Sequence, residues 1–239
     1  MSYVLGRLSL ADMTECGAAL RKLGRDATSM EDAARNVVHW LYGNLTDEAG
    51  SPACALVRFY KTHYFGALPE DLAAFARAAA GHEVSPHTRC LTLLATAGDE
   101  PAWNDRRQSH GHRAIPLQSE EAIRQLPMIL QLVQQLGFDP SQVAAPTPTL
   151  LVDSTERTFN VFYVPEALGS PFIPAQDFVE KYRVALVLGF GGLLPPGELF
   201  AVILFSREPI SAEIAELFKP LSLSVRMTVI PFSAGRIFT

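Results

Sequence analysis

The sequence predicts an α+β fold in which an antiparallel sheet is covered by helices. Six segments are rich in β-branched and aromatic residues, and amphipathic helical segments precede, separate and follow them. The last three predicted strands follow one another without crossover helices, which favours antiparallel pairing. The chain has 239 residues, of which 48% are hydrophobic, so it can bury a substantial core.

Two helices are predicted at the start of the chain by the same capping signature. Ser9 with Asp12, and Ser29 with Asp32, have the S-x-x-D spacing in which a hydroxyl and a carboxylate bind free backbone amides at a helix start. Apolar residues follow each serine at helical spacing. We therefore expect an N-terminal helix over about 9–24 and a second helix after Ser29.

The central part of the chain alternates between strand and helix signals. A helix is expected between Pro69 and Gly81, because proline is favoured in a first turn and glycine at a helix end. A longer helix, interrupted at Pro127, is expected after Ser119 because proline removes one backbone donor. The predicted strands of this part are Ala53–Lys61, Cys90–Gly98 and His112–Leu117.

The C-terminal part is predicted to supply three strands and a last helix. The strands are Thr158–Val164, Tyr182–Phe190 and Glu198–Ser206, and the helix covers about 211–229 with a possible kink at Pro220. The runs DPSQVAAPTPT and PEALGSPFIPAQDF are interpreted as loops with little regular structure. The apolar stretch Val184–Phe205 is long enough to cross a bilayer, but glycines, prolines and Glu198 divide it into two strands joined by LPPGE.

Charge and cysteine content exclude several classes of protein. The formal charge is −5 and only 19% of residues are charged, so neither a nucleic-acid footprint nor a polybasic membrane patch is predicted. The start MSYVLGRLSLADM lacks the pattern of a signal peptide, which favours the cytoplasm. Cys16, Cys54 and Cys90 form no CxxC pair, so we expect buried free thiols rather than disulfides or a zinc site.

Several segments carry a resemblance to a known family. The ending GGLLPPGELFAVILFSREPISAEIAELFKPLSLSV resembles the final hairpin and helix of GAF domains, and the opening helix with ACALVRFY resembles their first helix and strand. The segments ALVRFYKTH, CLTLLATAGDEPAWN, SHGHRAIPL, VPEALGSPFIPAQDFV and VLGFGG resemble the N-terminal sensing module of certain bacterial histidine kinases.

The resemblance implies one GAF/PAS-like sensory domain over residues 1–239, with a six-stranded antiparallel sheet flanked by helices. It also implies binding of a small molecule or a protein, and dimerisation through terminal helices. The sequence contains no phosphoacceptor helix and no kinase domain. We therefore expect that the domain passes its signal to a separate signalling protein, or that the chain is part of a longer one.

The segment DEPAWNDRRQSHGHRAIPLQS, residues 99–119, is the candidate site. Arginines in this segment can bind a carboxylate or phosphate, Trp103 can stack on a planar ring, and Asn104 offers a donor and an acceptor. The predicted ligand-binding residues are Trp103, Asn104, Arg106, His110 and His112. The alternative is a solvated loop in which Trp103 closes the edge of the core and Arg106, Arg107 and Arg113 pair with Asp99, Glu100 and Asp105.

The same region also contains residue types that bind metals or act as catalysts. His110 and His112 would share a face of an extended segment, but no third ligand lies nearby in sequence, so no metal site is predicted and any cofactor is unknown. Asp105, a histidine and Ser109 contain the residue types of a hydrolytic triad. Cys90 beside Arg89 and near His87 could have a lowered thiol pKa. These patterns leave two alternatives to ligand sensing, namely a redox or metal- or haem-dependent enzyme or sensor, and an interaction module without a ligand.

The glycine-rich segment and the terminal helices give two further structural expectations. The glycines of GFGGLLPPG lack the spacing of a phosphate-binding loop and are expected to allow a bulge or a close backbone approach. The first and last helices each carry an apolar stripe, which predicts a homodimer formed through the first helix. Those stripes are Leu10, Met13, Leu20 and Leu23, and Ile214, Leu217, Leu221 and Val225.

Overall fold

The computed structural model describes residues 2–145 and 160–239, and its centre is a six-stranded antiparallel sheet. The strand order in that sheet is β5-β4-β3-β8-β7-β6. A short parallel pair, β1 and β2, lies outside it. The strands are β1 (Tyr3–Val4), β2 (Leu45–Thr46), β3 (Cys54–Tyr64), β4 (Arg89–Gly98), β5 (Ala114–Leu117), β6 (Val161–Val164), β7 (Leu186–Leu194) and β8 (Glu198–Ser206). The predicted α+β class and the sheet that the GAF resemblance implies are confirmed.

Helices cover both faces of this sheet. They are α1 (Leu10–Leu20), α2 (Met30–Asn44), α3 (Glu70–Ala80), α4 (Glu120–Arg124), α5 (Pro127–Gln135), α6 (Pro140–Ala144), α7 (Gln176–Lys181), α8 (Ala212–Glu216) and α9 (Lys219–Val229). One core contains Phe59 and Val202 of the sheet with residues of α1, α2 and α9. The second core contains Leu56, Tyr60 and Ile203 of the opposite face with residues of α4, α5, α6 and α7.

The capping signals place the first two helices where the sequence predicts them. The Ser9 hydroxyl accepts from the Asp12 amide, and the Asp12 carboxylate accepts from the Ser9 amide, which is a complete capping box. The Ser29 hydroxyl also accepts from the Asp32 amide. The Asp32 carboxylate binds Thr28 rather than Ser29, so the second box is only half formed.

Prolines divide two of the predicted helices as the sequence indicates. Pro127 opens α5 after the short α4, because a proline at the first position needs no intrahelical donor. Pro220 likewise lies in the first turn of α9, so the predicted C-terminal helix is two helices, α8 and α9, rather than one kinked helix.

Strand ends differ from the prediction at several places. β3 continues to Tyr64, and β7 begins at Leu186 rather than at Tyr182 and extends to Leu194. The prediction that His112 begins β5 is wrong, because its φ of 54° lies in the left-handed region and interrupts extended backbone. Thr158 and Phe159 of the predicted fourth strand lie outside the described residues.

Two segments interpreted as loops contain helices. Within DPSQVAAPTPT, α6 begins after Asp139, whose carboxylate accepts from the Ser141 amide, and residues 146–149 lie outside the described part. Within PEALGSPFIPAQDF, α7 begins at Gln176. The Gln176 side chain binds the backbone of Ala167, Gly169 and Ile173, which holds the preceding loop against the helix start.

The glycine-rich hairpin of β7 and β8 shows close backbone approach and no bulge. The pairing of β7 with β8 runs without a register shift from Leu186 to Leu194. A Cβ atom at Gly191 would lie 2.2 Å from the carbonyl oxygen of Phe200, so only glycine fits. The apolar stretch forms these two strands, and no helix of the described residues is long and apolar enough to cross a membrane.

The apolar stripes of the first and last helices face each other within the chain. A Cβ atom at Gly17 would lie 2.8 Å from the Ser224 hydroxyl and 3.8 Å from Leu221, so α1 and α9 pack closely. Leu20 and Val225 are completely buried in the first core. The sequence argument for a homodimer through these stripes is therefore wrong, because one chain covers both; of the first stripe, Leu10 stays exposed.

Candidate functional site

The candidate segment connects two antiparallel strands, as the sequence predicts. Residues 99–113, called here the β4–β5 connection, lie between Gly98 at the end of β4 and Ala114 at the start of β5. The connection begins with a single 3-10 turn over Pro101–Asn104. Its buried side chains are Arg106 and Ser109.

Trp103 closes the edge of the second core. Its ring is half-buried, and it lies 4.6 Å from the ring of Tyr182 and 5.7 Å from that of Phe178, measured between centroids. These tilted and edge-on contacts are favourable aromatic geometries. The indole therefore packs within the protein, as the loop interpretation proposes.

Asn104 closes the turn at the end of β4. Its Oδ1 accepts from the Gly98 amide at 3.2 Å, and its Nδ2 donates to the carbonyls of Gly98 and Glu100 at 3.0 and 3.2 Å. Both amide hydrogens are thus used by the backbone. The geometry gives Asn104 a positioning role in the connection.

Arg106 is buried in an ion-pair network between three elements. Its Nε lies 2.8 Å from Glu31 Oε1 of α2, and its Nη1 lies 2.9 Å from Asp71 Oδ2 of α3. Arg113 Nη2 also contacts Asp71, at 2.6 Å. Arg106 is therefore buried, and carboxylates of two helices bind it. The loop interpretation is right that Arg106 and Arg113 pair with acids, but those acids lie on α2 and α3, and Arg107 donates to the Thr239 carbonyl.

The two histidines of the connection are exposed. His112 is exposed as a residue, yet loss of water around its ring, and then the positive charge of Arg58, lower its pKa. Among residues 2–145 and 160–239, no group of three or more His, Cys, Asp and Glu side chains is placed to hold a metal ion.

Neither catalytic alternative has the geometry it needs. The Ser109 hydroxyl accepts from Arg58 Nη2 at 3.0 Å, and Asp105 accepts from the amide of Arg107 and the side chain of Gln108, so no Ser-His-Asp chain forms. Cys90 is completely buried, and burial raises the pKa of its thiol to about 12. The prediction of a lowered Cys90 pKa is therefore wrong, because burial disfavours the thiolate.

A polar cluster lies beneath the connection on the face of the sheet that carries the second core. We call it the Arg58 cluster, and it consists of Arg58 and Tyr60 of β3, Thr96 of β4 and Ser109 of the connection. Arg58 pairs with Thr96 across the strands, so both side chains leave the same face. Arg58 Nη1 donates to the Tyr60 hydroxyl at 3.1 Å, and Nη2 donates to Ser109 Oγ and to the His110 carbonyl.

The Arg58 cluster contains polar atoms that the described residues do not satisfy. Arg58 is 7% exposed and Thr96 is 2% exposed. Arg58 Nε and Thr96 Oγ1 are both buried, and neither has a hydrogen-bond partner among the described residues. A buried polar group without a partner costs about 1–3 kcal/mol, so a partner for these two atoms would stabilise the protein.

The sequence interpretation named Ser109 but missed the rest of this cluster. Arg58 stands in the apolar strand ACALVRFYK, and Thr96 stands in CLTLLATAG. A charged residue in the middle of an apolar strand is a signal, because charged side chains are almost never fully buried unless they are paired. The location of its partners could not be read from the sequence.

A concave region lies on the opposite side of the sheet. It is a pocket of about 320 Å³ between α1 and α2, and its lining includes the half-buried ring of Trp40 and the exposed Lys22. The Tyr3 ring packs near Trp40 with centroids 6.1 Å apart. None of the residues predicted as a ligand site lines this pocket.

Comparison with known proteins gives similarities in shape at low identity. No protein-family model matches the chain, and no curated protein sequence matches it. The phycocyanobilin-bound GAF domain of a cyanobacterial phytochrome is 9% identical with a TM-score of 0.45, over 95% of this chain and 96% of that one. The N-acylhomoserine lactone-dependent LuxR-family transcription factor CepR2 of Burkholderia cenocepacia is 11% identical with a TM-score of 0.44, over 94% and 98%. The chromophore-binding domain of a bacteriophytochrome from R. palustris is 7% identical with a TM-score of 0.40, over 93% and 62%.

Proposed function

We propose that this chain is a sensory or regulatory domain that binds a small ligand between the sheet and the β4–β5 connection. The observation that carries the proposal is the Arg58 cluster, where Arg58 Nε and Thr96 Oγ1 are buried without partners. A ligand with hydrogen-bonding groups would satisfy these atoms. Within an otherwise apolar core, a few converging polar groups are typical of small-molecule sites.

The proposal changes the residues assigned to the ligand. Arg58, Thr96 and Ser109 replace Asn104 and Arg106 as the groups expected to contact it, because the latter two are bound within the protein. Trp103 remains a wall of the same region through its contacts with α7 and Tyr182. The exposed His110 and His112 are expected to lie at the entrance.

We further propose that the whole chain is one sensory domain that acts in the cytoplasm and passes its signal to a separate protein. All three cysteines are buried and free, which fits a reducing compartment. The redox alternative loses its main support with the raised pKa of Cys90.

The experiment is a thermal-shift screen with nucleotides, organic acids, amides, sugars and haem. A compound at a hundred times its dissociation constant stabilises the folded state by about 2.7 kcal/mol. We expect at least one compound to raise the melting temperature, and we expect Thr96→Val and Ser109→Ala to weaken its binding. Lys22→Gln, in the pocket between α1 and α2, is the matched control. Absence of any stabilising compound, or binding that only Lys22→Gln weakens, would contradict the proposal.

A homodimer remains part of the proposal, but through a different surface. Leu223, Met227 and Ile230 of the C-terminal helical region are 47%, 55% and 38% exposed and follow one another at helical spacing. A second copy of the chain would cover this stripe. We expect sedimentation at micromolar concentration to show a dimer, and we expect Met227→Glu to give a folded monomer. A monomeric wild-type protein would disprove the dimer.

A further inference from the structure

The charge of Arg58 identifies the kind of ligand that the proposed site takes. Among residues 2–145 and 160–239, all hydrogen-bond acceptors of the Arg58 guanidinium are neutral: the Tyr60 hydroxyl, the Ser109 hydroxyl and the His110 carbonyl. No carboxylate of these residues forms an ion pair with it. The residue is nevertheless buried, with only 7% of its surface exposed.

Arg106 is a buried arginine whose charge is balanced within the protein. Its guanidinium contacts the carboxylates of both Glu31 and Asp71, so its charge is balanced. Buried charges are normally paired, because a desolvated charge without a counter-charge is strongly unfavourable. Arg58 of β3 and Arg106 of the connection are both buried, but only Arg106 contacts carboxylates among the described residues.

Arg58 also has N–H donors without a hydrogen-bond partner among the described residues. A guanidinium carries five N–H donors, and three hydrogen bonds leave two donors, one of them on the buried Nε. The Thr96 hydroxyl, on the adjacent strand and the same face, is a further donor without a partner. Neutral hydroxyls around a cation with spare donors form a site that complements negative charge.

We infer that the ligand carries an anionic group, a carboxylate or a phosphate, which pairs with Arg58 and accepts a hydrogen bond from Thr96. This inference rests on the proposed function and specifies its ligand. The anion supplies the missing counter-charge and occupies the spare N–H groups. Carboxylate and phosphate share the geometry that a guanidinium binds, so their common chemistry defines the class.

The test compares acids with their neutral analogues. Benzoate and benzamide, indole-3-acetate and indole-3-acetamide, and phenyl phosphate and phenol are titrated by thermal shift and calorimetry. The proteins are wild type, Arg58→Gln and Arg107→Gln, the last removing a largely exposed arginine of the same connection. We expect acids to bind wild type and Arg107→Gln at least about tenfold more tightly than Arg58→Gln, since a hydrogen bond to a charged group contributes that much. The neutral analogues should not distinguish wild type from Arg58→Gln.

The titrations test the charge of the ligand, the role of Arg58 and the proposed function separately. Benzoate and phenyl phosphate separate a carboxylate ligand from a phosphate ligand. Equal binding of acids and amides would overturn the anion inference and leave the proposed function standing. Acids that bind Arg58→Gln as well as wild type would overturn the role of Arg58. No binding by any probe, acid or neutral, together with a negative ligand screen, would overturn both.

A measurement on the wild-type protein covers the case in which Arg58→Gln does not fold. The ¹⁵N and ¹H resonances of Arg58 Nε–H report directly on a new hydrogen bond. We expect benzoate to shift them and benzamide to leave them in place. An unchanged Arg58 Nε–H resonance at a benzoate concentration that stabilises the protein would overturn the inference.

Discussion

Arg58 donates from Nη2 to Ser109 Oγ over 3.0 Å, and this bond joins residues 51 positions apart in sequence. It fixes the β4–β5 connection on the sheet at the point where β3 and β4 pair. Arg106 fixes the same connection to α2 and α3 through carboxylates. The two arginines therefore hold one segment in two ways: Arg58 donates to a neutral hydroxyl, and Arg106 pairs with carboxylates.

The first prediction compares the two arginines by the same substitution. Arg106→Gln leaves Glu31 buried without its counter-charge and should lower the free energy of unfolding by about 3 kcal/mol or more. Arg58→Gln removes an unbalanced charge along with its hydrogen bonds, so we expect a change within about 1 kcal/mol. Urea unfolding of the free proteins measures both. A loss of similar size in both variants would show that a carboxylate of the chain balances Arg58.

The second prediction concerns the buried hydroxyl of Thr96. Thr96→Val keeps the shape and removes a hydroxyl without a partner among the described residues, so stability should stay level or rise by up to about 1 kcal/mol. Thr92→Val is the control, because Thr92 Oγ1 donates to the Cys90 carbonyl and contacts His63 Nδ1. The control should lose about 1–2 kcal/mol. Calorimetric melting of both variants distinguishes a spare hydroxyl from a structural one.

The third prediction concerns pH and the buried His63. Its ring contacts Thr92 Oγ1 through Nδ1 and packs 5.1 Å from the Phe238 ring. Burial, and then the positive charge of Lys61, lower the pKa of His63 well below 6.5. The folded state thus holds His63 neutral, whereas the unfolded chain takes up a proton near pH ~6.5.

The stability contributed by neutral His63 is therefore fully present above pH ~6.5 and is lost as the pH falls below that value. The loss should approach about 1.4 kcal/mol per pH unit until the His63 ring is protonated in the folded state as well. Urea midpoints measured at a series of pH values should show a shallower dependence in His63→Gln than in wild type. The exposed His110→Gln is the control, and an unchanged dependence in His63→Gln would contradict the prediction.

The fourth prediction concerns the close approach of β7 to β8. Gly191→Ala places a methyl group against the Phe200 carbonyl and the Ala201 Cα, both of them backbone, and should cost about 2 kcal/mol or more. Gly43→Ala in α2 meets nothing within 4 Å and should stabilise the protein by up to about 1 kcal/mol. Thermal melting of the two variants checks the contrast. A tolerated Gly191→Ala would mean that the strands move apart at little cost.

Much of the fold could be predicted because its signals are local. The Ser9 capping box, the helix restart at Pro127 and the turn between β7 and β8 each depend on a few adjacent residues. The helix α7 was missed because its start is held by the Gln176 side chain, which binds backbone groups several residues earlier. The left-handed backbone of His112 likewise has no marker in the sequence.

For the candidate site, the sequence predicts that residues 99–113 connect two strands, but it does not predict the contacts of their side chains. The residue types of the β4–β5 connection are those of a ligand-binding loop, but Arg106 is bound by Glu31 and Asp71, which precede it by 75 and 35 residues. Arg58 lies in a strand whose apolar neighbours predict burial, but the sequence does not show which groups it contacts. A single sequence does not show which polar groups find distant partners, because that depends on how the elements pack in the folded chain.

The strand order has a consequence for how the protein is made. β3, the first strand of the large sheet, pairs along Cys54–Lys61 with β8, the last one. A growing chain therefore exposes one edge of β3 and one edge of β7 until Glu198–Ser206 has left the ribosome. Such long-range pairing slows folding and leaves strand edges open to other chains in the interval. A nascent chain stalled before β8 should accordingly bind chaperones and be cleaved by proteases, and release of the last strand should end both.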